Sequence, residues 1–136
     1  MTRIKYDSNL MGYISLFERV TNAKLKDCIS NERLLFIVQE NQIGKAIGKG
    51  GVNIKKIEGM LKKKARVVEF NPDVKQFVKN MVYPLQVDVE LEDGIITIKG
   101  KDTKTRGLLI GRDSKNLDHL ASVVKRYFDV GEMRVV

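Results

Sequence analysis

One short stretch concentrates glycine and lysine: Ile47-Gly48-Lys49-Gly50-Gly51-Val52-Asn53-Ile54-Lys55-Lys56-Ile57. Gly48 and Gly51 frame a tight turn between two helical segments. Glycine suits such a turn because it reaches backbone conformations closed to other residues. Its missing side chain also lets a ligand's backbone come close. The second helix starts at the turn, so its unpaired N–H groups face the ligand. Lys49 lies in the turn, and Lys45, Lys55 and Lys56 are near in sequence. Ile47, Ile54 and Ile57 supply an apolar floor and helix core. Together these residues form a clamp for phosphate. The chemistry is binding rather than catalysis, so the chain is not expected to be an enzyme.

Other constellations fall short. Gly44-x-x-x-Gly48-Lys49-Gly50 has one residue too few for a nucleoside-triphosphate loop, and Gly50 stands where that loop needs a magnesium-binding Ser or Thr. A dinucleotide fingerprint fails at Asn53. His119 is the sole histidine and Cys28 the sole cysteine. Neither an intrachain disulfide nor a cysteine-based metal site is therefore expected, and no cofactor or metal is implied. Cys28 reads as a small core residue in a reducing cytoplasm. Glu90, Glu92 and Asp93 read as a solvated strand edge. Lys62-Lys63-Lys64 sits where a helix C-terminus favours cations. The four tyrosines are dispersed, so stacking on an aromatic platform is not the expected mode.

The 136 residues carry 25 Lys plus Arg against 17 Asp plus Glu, a net charge of +8. Residues 44–66 hold eight of the cations and one acid, Glu58, a local net of +7. Such a block favours a polyanionic partner, with a solvated basic helix face as the plain alternative. Apolar residues make up 43% and recur periodically, which argues for a folded chain rather than a disordered one. The longest apolar run is Leu34–Val38, far below the roughly 18 residues needed to span a bilayer. Met1–Asp7 lacks the apolar stretch of a signal peptide. Neither a membrane nor a small-molecule substrate is expected.

Elements must hold the turn in place. Ser8 is a candidate cap for a helix with Leu10, Ile14, Phe17 and Val20 inward. A weak strand over Lys24–Ser30, a turn at Asn31-Glu32 and a buried strand over Leu34–Val38 follow. The glycine-rich segment leads to a helix over Val52–Lys64 and a strand over Ala65–Phe70. Asn71-Pro72 is the internal boundary, with Asn71 as cap and Pro72 at the first helical position. That helix ends at Pro84. Leu85, Val87, Val89 and Leu91 alternate with polar residues, and Asp93-Gly94 marks a hairpin to Ile95–Lys99. A helical segment over Thr103–Ile110, a helix capped by Ser114 and a strand over Glu132–Val136 complete the chain. Both halves read helix–strand–strand–helix–tight turn–helix–strand. At an offset of 63 residues Gly44, Gly48 and Asn53 match Gly107, Gly111 and Asn116.

Ile47-Gly48-x-x-Gly51-x-x-Ile54 resembles the signature of a KH domain. In KH domains the Gly-x-x-Gly loop holds a backbone of about four nucleotides, with the bases in a groove alongside. The element order resembles the type II, prokaryotic variant. Two units filling nearly the whole chain resemble the archaeal NusA-like transcription termination and elongation factors.

The resemblance implies an α+β fold of two tandem type II KH domains, 1–71 and 72–136. Each would be a three-stranded sheet with helices packed on one face. It implies single-stranded RNA, most naturally a nascent transcript, as partner, with RNA polymerase as a further contact. Gly48, Lys49, Gly50 and Gly51 would hold the backbone, with Lys45, Ile47, Asn53, Lys55 and Lys56 around them. The second loop, Gly111-Arg112-Asp113-Ser114, departs from the pattern, because Asp113 brings a carboxylate where a phosphate would pass. There Gly111, Arg112 and Lys115 are the candidates. Either this loop extends the RNA track, or the second unit is a scaffold. The bacterial relatives carry a polymerase-binding domain and a barrel ahead of the KH pair. With its first KH helix at residue 8, this chain would use its KH surfaces, or another subunit, for any such contact. A ribosome-associated or RNA-processing KH protein, or a KH-fold scaffold contacting polymerase, are the alternatives.

Overall fold

The computed structural model describes residues 8–30 and 33–136. The expectations for Met1–Asp7 and for the Asn31-Glu32 turn lie outside the described residues, and so does the Ser8 side chain. The chain divides into two compact units, Met1–Asn71 and Pro72–Val136.

In the first unit α1 (Ser8–Thr21) precedes β1 (Leu25–Ser30) and β2 (Leu34–Val38), and β1 pairs antiparallel with β2. A crossover through α2 (Ile43–Ile47) and α3 (Val52–Leu61) returns the chain as β3 (Ala65–Glu69), parallel to β2. The central strand β2 is buried at all five positions, which suits its unbroken apolar run. Its residues Leu34, Phe36 and Val38 join Cys28, Phe17 of α1, Ala46 of α2 and Ile57 of α3 in one core. Phe17 stacks on Phe36 with ring centroids 4.3 Å apart. The helices therefore cover one face of the sheet. Asn22 ends α1 at φ 58°, a left-handed stop that asparagine tolerates.

The second unit repeats this order. It runs α4 (Val74–Val82), β4 (Val87–Glu92), β5 (Ile95–Gly100), α5 (Thr103–Ile110), α6 (Lys115–Tyr127) and β6 (Glu132–Val135). β5 is central, antiparallel to β4 and parallel to β6. Asp93 and Gly94, both at positive φ, form the two-residue hairpin that their sequence announces. Phe77 of α4 meets Tyr127 edge-on at 5.9 Å, and Ile96 and Ile98 are fully buried.

Four local expectations need correction. The helix α4 starts two residues beyond Pro72, because Asp73 is its cap and its carboxylate accepts from the Lys75 N–H at 3.1 Å. α3 stops at Leu61, where Lys62 turns left-handed, so Lys62–Lys64 lies outside the helix. β4 begins at Val87 rather than Leu85. Ser114 precedes α6 but its side chain makes no cap bond, since its own backbone is left-handed. Asp102 does cap α5, accepting from the Thr105 N–H at 2.7 Å.

Candidate nucleic-acid interface

The crossover from β2 to β3 positions the glycine turn. Ala46, fully buried, anchors α2 on the core, and Ile57 anchors α3. Between them the chain reverses in four residues. Gly48 takes φ 75°, ψ 170°, a conformation open essentially only to glycine. Gly50 and Gly51 follow at φ 64° and 77°, both left-handed, before α3 begins at Val52. The Gly51 N–H donates to the Gly48 carbonyl at 3.1 Å and closes the turn. The Asn53 amide reaches back across it, donating to the Lys45 carbonyl at 2.7 Å. Asn53 also lies against Gly48: a Cβ there would meet Asn53 Cγ at 2.9 Å. Asn53 thus braces the turn from beneath, a role its type and position alone did not disclose. A Cβ on Gly50 would meet nothing within 4 Å, so the tip is open.

Lys49 in the turn, Lys45 in α2 before it, and Lys55 and Lys56 in α3 after it are all exposed. Among the described residues none of the four ammonium groups has an ion-pair or hydrogen-bond partner. Two other cations of the basic block have different neighbours. Lys63 lies over the Tyr13 ring at 5.7 Å. Arg66 belongs to β3, opposite Leu35. Its burial, with Arg33 nearby, lowers the guanidinium pKa from its ordinary value. Ile47 is not core, being 37% exposed beside the turn, and Val52 across from it is 57% exposed. The apolar rim is therefore Ile47 and Val52, while Ile57 alone of the three isoleucines is buried.

The second turn has the same backbone. Gly111 takes φ 76°, ψ 172°; Asp113 takes φ 55° and Ser114 φ 61°. The Asn116 amide donates to the Leu108 carbonyl at 2.8 Å, matching Asn53 and Lys45 one for one. A Cβ on Gly111 would meet Asn116 Cγ at 2.6 Å. The surroundings differ. Lys45, Lys55 and Lys56 are replaced by Leu108, Asp118 and His119, and Val52 by Lys115. Arg112, Asp113 and Lys115 are exposed. Two turns of one shape thus carry different charge.

Among the described residues no three His, Cys, Asp or Glu side chains gather as a metal site. No described helix is long and apolar enough to cross a membrane.

A KH domain family profile matches residues 12–92, from within α1 to the end of β4. The chain is 32% identical over 145 residues to the probable transcription termination protein NusA of Methanocaldococcus jannaschii, covering 100% of this chain and 77% of that protein. It is 36% identical over 143 residues to the protein of the same name from Methanococcus vannielii, covering 98% and 80%. The crystal structure of APE1850 matches with a TM-score of 0.75 at 29% identity, over 96% of this chain and 100% of that one.

Proposed function

The chain belongs to the KH domain family, among the archaeal NusA-like proteins, and from that premise we propose that it is an RNA-binding transcription factor acting in termination and elongation. Its ligand is single-stranded RNA, the nascent transcript, met in the cytoplasm beside RNA polymerase. Units 1–71 and 72–136 are each a type II KH domain, an assignment supported by the parallel pairing of β3 and β6 after their helical crossovers. One observation carries the proposal: an open glycine tip at Gly50 with four exposed, unpaired lysines on the turn and the two helices that flank it. Gly48–Gly51 bring backbone against backbone, and Lys45, Lys49, Lys55 and Lys56 neutralise the phosphates. Asn53 holds the turn in shape, and Ile47 and Val52 offer an apolar flank for a base. The strand then continues to the second turn, where Gly111, Arg112 and Lys115 take a weaker hold.

Gly50→Asp tests the first turn. The backbone tolerates the change, because Asp113 holds nearly the same dihedrals in the second turn. A carboxylate about 4 Å from a phosphate costs roughly 1–4 kcal/mol. Anisotropy titration with a single-stranded RNA of about a dozen nucleotides should show affinity reduced about tenfold or more, with an unchanged circular dichroism spectrum. Unaltered affinity would remove the first turn from the binding surface.

A further inference from the structure

We infer that the first unit holds RNA at a second place, a basic pole at the far end of α3. A strand longer than the clamp's span of about four nucleotides runs down the outer side of that helix to reach it. The inference rests on single-stranded RNA being the ligand and adds where the strand goes on one side of the first turn.

α3 leaves the turn at Val52 and ends at Leu61. Its ten residues, at a rise of about 1.5 Å each, separate its ends by about 15 Å. There Lys62, left-handed at φ 54°, turns the chain out of the helix. The Lys64 carbonyl accepts the Leu34 N–H at 2.9 Å, which sets Arg33 beside Lys64. Lys63 lies next to them over the Tyr13 ring, and Arg66 is near enough to Arg33 for the two charges to act on each other. Arg33, Lys62 and Lys64 are exposed, and among the described residues their side chains have no ion-pair or hydrogen-bond partner. The one acid of α3, Glu58, has its carboxylate engaged by the Ala65 N–H at 2.9 Å. Counting Glu58 and Glu32, the acid next to Arg33 in sequence, these five cations keep a net of +3. A helix C-terminus attracts cations, but Arg33 and Arg66 come from the sheet side, so that preference does not account for the group.

The solvent side of α3 joins turn and pole. Lys55, Lys56, Gly59 and Met60 are exposed there at helical spacing. Gly59 lies inside the helix, where glycine weakens it, and a Cβ there would meet nothing within 4 Å. Packing within the protein therefore does not call for glycine. Its missing side chain leaves the helix backbone bare between Lys55-Lys56 and Lys62–Lys64, where a sugar–phosphate backbone can come close. At an offset of 63 residues the second unit has Asp118, His119 and Ser122 in place of Lys55, Lys56 and Gly59, so it does not repeat this track. Cations gathered in this way attract a polyanion. A strand already held at the turn meets them at high effective concentration.

The test compares labelled oligouridylates of about four and about twelve nucleotides by anisotropy over a range of salt concentrations. The proteins are wild type, the triple variant Arg33→Gln, Lys62→Gln, Lys64→Gln, and Gly59→Gln. Lys63 and Arg66 are left in place because Tyr13 and the sheet use them. The triple variant should bind the longer RNA about tenfold more weakly than wild type. Its salt slope on that RNA should be shallower by about 2, since three phosphates lose their cations at about 0.7 each. On the shorter RNA it should match wild type. Gly59→Gln should melt higher than wild type, as a better helix former, yet lose affinity for the longer RNA alone. A triple variant that keeps wild-type affinity and slope on the longer RNA would overturn the inference and leave the pole to an acidic protein surface. Equal losses on both lengths would also overturn it, because the residues would then act through the clamp. Failure of wild type to bind either RNA would overturn the RNA-binding reading itself.

Discussion

Gly48 and Gly111 share a backbone and a neighbour, and the neighbour decides what a side chain there would cost. Asn53 and Asn116 occupy the space a Cβ would enter, at 2.9 Å and 2.6 Å. Gly48→Ala and Gly111→Ala should each lose about 1–3 kcal/mol in urea denaturation, from left-handed strain and from displacing the asparagine brace. Gly44→Ala should behave oppositely. That glycine lies within α2 and a Cβ on it meets nothing within 4 Å. The change should be neutral or stabilising by up to about 1 kcal/mol. The glycines of the turn were legible in the sequence because a Gly-x-x-Gly spacing has few other uses. The brace was not. Asn53 and Asn116 visibly repeat, but a hydrogen bond to a carbonyl eight residues earlier exists only once the turn has brought both together.

The order of helices and strands was legible in both halves, because apolar periodicity and the Asp93-Gly94 turn report directly on local structure. Helix starts were less so. Asn71-Pro72 is a sound start signal, yet Asp73 lies two residues on and its carboxylate takes the Lys75 N–H. Two good caps in a row are arbitrated by packing: starting at Val74 buries Val74, Phe77, Val78 and Met81 together. Asp73→Ala should therefore cost about 1 kcal/mol, measured by thermal or urea unfolding. Asp102 caps α5 in the same way, and the Thr105 backbone N–H and then its side chain hold the Asp102 carboxyl below its ordinary value. A carboxyl depressed in the folded state stabilises the fold above its unfolded pKa, near 3.9. That contribution is lost as pH falls through the lower folded value. Asp102→Ala should thus melt below wild type at neutral pH, and the gap should close as the pH is taken below about 4. A gap that persists in strong acid would mean the cap acts through packing instead.

Over the whole molecule the net charge of +8 is unevenly spent. Residues 72–136 are nearly neutral, with 11 basic and 10 acidic side chains, and two of them form the Lys99–Glu90 pair at 2.9 Å. The sum over residues 44–66 was visible in the sequence, but its destinations were not. Of the eight cations there, four are exposed on the first turn and its flanking helices. Lys63 covers Tyr13 and Arg66 enters the sheet, because their neighbours come from α1 and β2. The proposed RNA hold is thus electrostatic, local to the first turn, and made on a backbone rather than on a duplex groove. Fluorescence anisotropy over a range of salt concentrations, using one RNA as a single strand and again as a duplex, tests this most directly. Single-strand binding changes by about −0.7 in log K per log salt for each phosphate neutralised. Four lysines therefore predict a slope near −3 for the single strand, with weaker binding of the duplex. A flat salt response, or tighter binding of the duplex, would contradict a backbone clamp at Gly48–Gly51.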